Sequence, residues 1–201
     1  MEIWGGNRAL SKSFQAPGLD IHVHSAPYKD SATGGGDLYY LTSCASCRIS
    51  RFLLADVSGH GAAVSKLALS IRDLLRKNVN RINQEKFVTE LNLEFGGVAN
   101  ESGFATAIVA TFFEPKQTLS ISIAGHPFPL YYRAAEKKWV HLDPADASTK
   151  GLRNLPLGVH TESKYPVKKS KRPLVTCFCC TAMRLSNRRQ AMENRYKSKA
   201  Y

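Results

Sequence analysis

No stretch of this 201-residue chain is apolar for long enough to cross a membrane, and the N-terminus has no apolar signal-peptide region. The expectation is a protein of the cytoplasm with no membrane partner. Cysteine is scarce and irregularly placed, with Cys44 and Cys47 in the body and Cys177, Cys179 and Cys180 near the end. An odd count at such spacing excludes a disulfide framework. Cys44-x-x-Cys47 has no second Cys-x-x-Cys or His pair to complete a four-ligand zinc site. It lies among small polar residues between two apolar runs and reads as a hairpin connection rather than half a zinc site or a redox pair. Nucleotide-binding signatures are missing as well. Gly34-Gly35-Gly36-Asp37 is followed by a strand-like segment and no Gly-Lys-Ser/Thr, and Ser58-Gly59-His60 is not the Gly-x-Ser-x-Gly of a hydrolase elbow. There is no internal repeat.

Acid is the other shortage, and it is local. Residues 164–201 carry 11 Lys and Arg against the single acid Glu193, a net of +10. The preceding residues hold 17 basic and 15 acidic side chains, so the formal charge of +12 belongs almost wholly to the tail. A basic tail with few interleaved aromatics and no recognised fold does not make a nucleic-acid module, and no nucleic-acid partner is expected.

What is present reads as one domain. Residues 1–16 mix glycine and polar residues and are expected to be an irregular leader. The alternation Leu19-Asp20-Ile21-His22-Val23-His24 predicts a half-buried strand. A glycine-rich loop to Gly36 and a hairpin of strands over 37–43 and 48–56 follow. Val64, Leu67, Ala68, Ile71, Leu74, Leu75 and Val79 form one apolar helical face over 62–82. A second helix is expected over 84–95, stopped by Gly96-Gly97. Strands over 106–113, 117–123, 129–133 and 138–142 complete the pattern. Strands, two adjacent helices, then strands indicate an α+β fold. The domain is expected over 17–163, with residues 164–201 a basic, cysteine-containing tail foreign to the fold.

Chemistry concentrates at two aspartates. Ala55-Asp56-Val57-Ser58-Gly59-His60-Gly61 places Asp56 at the exit of a strand, beside a glycine turn that opens a helix. Asp37 closes a glycine run and opens another strand. Carboxylate oxygen is the ligand that Mg²⁺ and Mn²⁺ prefer, and glycine lets a backbone carbonyl approach. Asp37 and Asp56 are therefore candidate metal ligands. His60 is a candidate proton donor to a leaving group, although its setting also suits a turn-shaping role. His126, after a strand in Ala124-Gly125-His126-Pro127, is expected to bond loop backbone.

Gly35-Gly36-Asp37, Ala55 through Gly61, Ala124 through Leu130, and Leu155-Pro156-Leu157-Gly158-Val159 occur in an order and spacing that resemble one family. The chain is similar to the PPM-type (protein phosphatase 2C-like) metal-dependent serine/threonine phosphatases, in the branch of stage II sporulation protein E and the sigma-factor-regulator phosphatases. The resemblance implies two stacked antiparallel sheets flanked by helices, with two Mn²⁺ or Mg²⁺ ions in a cleft. By motif position it implies a backbone ligand at the Val57 carbonyl, with Asp56 bridging both ions. The reaction implied is hydrolysis of phosphoserine or phosphothreonine by an activated water. The partner implied is a phosphorylated regulatory protein such as an anti-sigma-factor antagonist.

One expected piece is missing. Relatives continue into a Gly-Asp strand and a Tyr-Thr/Ser-Asp motif whose aspartate is a further metal ligand, whereas no aspartate follows Asp146 here. The alternative reading is thus a catalytically impaired, phosphatase-like interaction domain. The genetic code suggests a cause. In the frame starting at each third base, Phe178-Cys179 and Cys179-Cys180 must encode leucine. With permitted codons elsewhere, 174–187 then become a Gly-Asp strand running into Tyr-Ser-Asp. The nucleotide sequence tests this shift, placed between about residues 164 and 173. Codons that spell the missing motif are expected, and codons incompatible with it end the idea.

Overall fold

The computed structural model describes residues 2–6, 10–25, 36–59, 62–99, 103–142, 154–171 and 178–179. The strands are β1 (Glu2–Gly5), β2 (Leu10–Ala16), β3 (Leu19–Ser25), β4 (Asp37–Ser43) and β5 (Ile49–Val57). Helices α1 (Ala62–Asn78) and α2 (Gln84–Ala99) follow, then β6 (Ala105–Phe113), β7 (Thr118–Ala124), β8 (Leu130–Arg133), β9 (Lys138–His141), β10 (Lys168–Lys171) and β11 (Phe178–Cys179). Six strands form one antiparallel sheet in the order β1-β4-β5-β6-β7-β10. A second sheet has the order β11-β8-β9, and β2 pairs with β3.

The large sheet is buried on both faces, and alternation along its strands divides two cores. Leu53, Ala55 and Val57 of β5 and Ala105, Ala107 and Val109 of β6 face the helices, against Val64, Ile71, Leu75, Phe87, Leu91 and Phe95. Ile108, Ala110 and Phe112 of β6 and Leu119, Ile121 and Ile123 of β7 face the other way, against Tyr131, Val140, Leu142 and Leu19. The result is the expected antiparallel sandwich with helices on one side.

Several boundaries depart from the sequence reading, each for a local reason. The leader expected to be irregular holds two strands. β1 pairs with β4, and α1 holds it from above through the Glu2–Arg76 ion pair and Arg72 stacked 4.5 Å from the Trp4 ring. In β2 the alternation of Leu10, Lys12, Phe14 and Ala16 is hidden by polar neighbours. Helix α1 stops at Asn78 rather than 82, because the buried Asn78 amide bonds the Leu74 carbonyl and Glu94. Helix α2 begins after Asn83, whose side chain accepts the Lys86 N–H. It runs through Gly96-Gly97 to Ala99 because Leu157 and Gly158 pack there. Asn92 accepts the Gly158 N–H at 2.9 Å and donates to the His160 carbonyl. Gly158 has φ +85°, and a Cβ there would press on the Gly103 carbonyl and the Phe95 ring. The packed body also continues past 163, since Tyr165 is fully buried and Lys168–Lys171 forms the sixth strand.

Arg51 joins the two halves of the helix-side core. It is 4% exposed and stacks 4.1 Å from the Phe87 ring. Its guanidinium donates to the carbonyls of Val79 and Arg81 and to Thr111 Oγ1, which in turn donates to Gln84. Burial pushes its pKa down to about 10. The helix–helix connection is thereby bonded to β5 and β6. Arg51→Ala removes the donor to these part-buried carbonyls and the stacking on Phe87, and is expected to cost about 2 kcal/mol, read as a lower urea midpoint. Arg51→Lys, with no planar fork, recovers only part of it.

Candidate metal centre

Asp37 opens β4 and Asp56 is the penultimate residue of β5, and the register sets them directly opposite. The next pair outward, Gly36 and Val57, is hydrogen-bonded through the Val57 N–H to the Gly36 carbonyl at 3.1 Å. Alternation along an antiparallel ladder then makes Asp37 and Asp56 a non-hydrogen-bonded pair, the kind whose Cα atoms come within about 4.5 Å. Both side chains lie on the face turned toward the second sheet, and Thr106 of β6 stands opposite Asp56 on that face.

Two half-buried carboxylates in this position repel each other. Burial raises the Asp37 pKa first, and the Asp56 charge raises it further. Burial raises Asp56 as well, with the nearby His126 charge partly opposing. Among the described residues, no Lys, Arg or His forms an ion pair with either aspartate. The donor set therefore suits a hard divalent cation, which would relieve the repulsion. The Val57 carbonyl is immediately beside it, and its neighbour must be glycine: a Cβ on Gly36 would collide with that carbonyl.

The surrounding motif residues have separable roles. Ser58 ends the β5–β6 ladder, its N–H donating to the Phe104 carbonyl at 2.8 Å and its Oγ accepting the Phe104 N–H at 3.0 Å. His60 and Gly61 lie outside the described residues. His126 is 5% exposed, and its Nδ1 donates to the Pro127 carbonyl at 3.1 Å, the loop-backbone bond anticipated for it. The remaining nitrogen, Nε2, is buried with no partner among the described residues. Burial lowers the His126 pKa, against the pull of the Pro127 bond and of Asp56. Its proximity to Asp56 was not legible in sequence, because 70 residues separate them and only the fold brings them together. Thr106 was missed for the same reason. Among the described residues, no third His, Cys, Asp or Glu joins the pair as a ready-made metal cluster.

An aspartate whose folded pKa exceeds its unfolded one binds more protons when folded. Stability then falls as pH rises from the ordinary value of about 3.9 through the raised folded value. In chelator-treated protein, Asp37→Asn is expected to remove most of that fall. It should gain about 0.5–1 kcal/mol near pH 7, read by urea denaturation at several pH values. An unchanged pH profile would show that the pair carries no strain.

Residues 49–176 match the Stage II sporulation protein E (SpoIIE) family. No curated protein matches the sequence. Among solved structures, RsbX in complex with magnesium superposes with a TM-score of 0.70 at 13% identity, covering 96% of this chain and 92% of RsbX. The RsbU and RsbW domains of Rv1364c from Mycobacterium tuberculosis give a TM-score of 0.57 at 22% identity, over 71% of this chain and 37% of that one. The PP2C phosphatase domain of the cell fate determinant SpoIIE from Bacillus subtilis, with a fragment of its regulatory domain, gives 0.53 at 15%, over 86% and 42%. This chain thus spans well under half of two of these relatives and nearly all of RsbX. With a family match over residues 49–176, more than half of its length and including Asp56, the chain belongs to the SpoIIE family and has the PP2C-like fold.

Proposed function

We propose that this chain is a divalent-metal-dependent protein phosphatase domain, acting on phosphoserine or phosphothreonine of a regulatory partner. An anti-sigma-factor antagonist is the partner class that the family resemblance favours, and the cytoplasm is the setting that goes with it. The observation that carries the reading is the opposed Asp37–Asp56 pair in a member of the SpoIIE family. Asp37, Asp56 and the Val57 carbonyl would hold Mn²⁺ or Mg²⁺. Such ions supply a water of lowered pKa and neutralise charge on the phosphoryl oxygens. The chain's own part is to bring two carboxylates to one point on a rigid sheet and, through Gly36, to leave room beside the Val57 carbonyl. His60 is the candidate proton donor to the leaving group.

A second reading has its own observation. The described residues supply only the two carboxylates, and no aspartate follows Asp146. A chain missing the C-terminal ligand would be a phosphatase-like interaction domain that binds one ion or none. On this view the foreign segment lies beyond Lys171, the last residue of the six-stranded sheet, and the family match stops at residue 176, although Phe178–Cys179 still pairs with β8.

Assay with Mn²⁺ and p-nitrophenyl phosphate separates the two, using this chain, Asp56→Asn, and a frame-restored chain carrying the Tyr-Ser-Asp motif. The phosphatase reading expects Mn²⁺-dependent phosphate release that Asp56→Asn lowers at least about 100-fold. Activity only in the restored chain selects the interaction domain. Inactivity of both refutes the phosphatase reading.

A further inference from the structure

The β4–β5 connection, residues 44–48, is the hairpin turn read from the sequence, but its two cysteines have chemistry that the sequence reading set aside and the phosphatase reading does not use. The Cys47 N–H donates to the Cys44 carbonyl at 2.8 Å, closing a four-residue turn. A β-turn brings its end Cα atoms within about 7 Å, and disulfide-linked cysteines have Cα atoms about 4.4–6.8 Å apart. Both thiols are free and exposed to solvent. The loop also wraps its backbone around one of them. The Ile49 N–H donates to Cys44 Sγ at 3.3 Å, and Ser46 Oγ lies 3.3 Å from the same sulfur. The backbone N–H groups of Arg48 and Ser46 add to this array.

Donors converging on a sulfur favour its thiolate, the form that attacks disulfides. The Ser46 hydroxyl is the largest influence lowering the Cys44 pKa, with slight burial opposing and the three N–H groups assisting. Cys47 is the partner in reach. Its backbone is left-handed, with φ 55°, a conformation that glycine or asparagine adopts at less cost. Turn geometry alone therefore gives no reason for cysteine at that position. The carboxylate pair lies at the far end of the same two strands, roughly 20 Å away.

We propose that Cys44 and Cys47 form a reversible dithiol–disulfide site, with Cys44 the attacking sulfur and Cys47 the resolving one, driven by small disulfides of the glutathione class. The Cys44 thiolate attacks one sulfur of the small disulfide; that S–S bond breaks and one small thiolate leaves. Cys47 gives its proton to solvent and attacks the Cys44 sulfur of the mixed disulfide, expelling the second small thiolate. Two protein thiols are oxidised by two electrons, and one small disulfide is reduced to two thiols.

The test equilibrates the full-length reduced chain in glutathione buffers between about −300 and −150 mV, blocks free thiols and maps the peptides by mass. The expected result is a peptide spanning Cys44 and Cys47 that has lost two hydrogens, reversed by dithiothreitol. Cys47→Ser should accumulate glutathione on Cys44. Cys44→Ser should abolish the internal bond and leave Cys47 reacting about tenfold more slowly or worse. The wild-type peptide map stands without either variant. Two free thiols at every potential, linkage only to Cys177, Cys179, Cys180 or another copy, or faster reaction at Cys47 than at Cys44 would overturn the proposal.

Discussion

Two carboxylates held face to face across a narrow antiparallel pair are the constraint around which this molecule is arranged. Asp37 and Asp56 are opposite because β4 and β5 pair in one register, and a shift of one residue would send one of them to the helix-side core. That register is fixed by what lies on each face. Leu38, Tyr40, Leu53 and Ala55 are committed to the helices, while the face carrying the aspartates meets the second sheet. The apolar pattern thus enforces a juxtaposition that electrostatics alone would oppose. The cation proposed for this site would offset that cost.

The rest of the structure supports that end of the sheet. Ser58 stops the ladder immediately beyond the site by substituting its hydroxyl for a backbone acceptor. Leu157 bridges to Ala105 and places Gly158 against α2, so a segment distant in sequence closes the same end of the sandwich. Arg51 bonds the opposite end of the helix pair to β5 and β6. Leu157 and Gly158 are therefore packing residues. A motif can mark a family through packing as well as through chemistry.

The positions of β3 to β9 and of both helices were legible because their apolar periodicities are strong. So was the proximity of Asp37 to Asp56, given a hairpin whose lengths match. β1 and β2 were not legible: β1 runs into Gly5-Gly6 and reads as part of an irregular leader, and β2 interleaves serine, lysine and glutamine. The continuation of α2 through Gly96-Gly97 was hidden because two consecutive glycines read as a helix end, whereas here Gly96 lies against Gly158 and a Cβ on Gly97 would meet nothing. Thr106 and His126 reach the site from strands and loops whose sequence gives no sign of what they face. Local pattern exposes elements; it does not expose what the sandwich brings together from far along the chain.

Direct binding of Mn²⁺, followed by loss of its free-ion paramagnetic resonance signal, tests whether the opposed pair is a metal site. The account predicts saturable binding to this chain at neutral pH, weakened at least about tenfold by either Asp37→Asn or Asp56→Asn. It also predicts weakening as pH falls into the raised carboxylate range, where protons compete for the same oxygens. Binding that is absent, or that survives both substitutions unchanged, would contradict it.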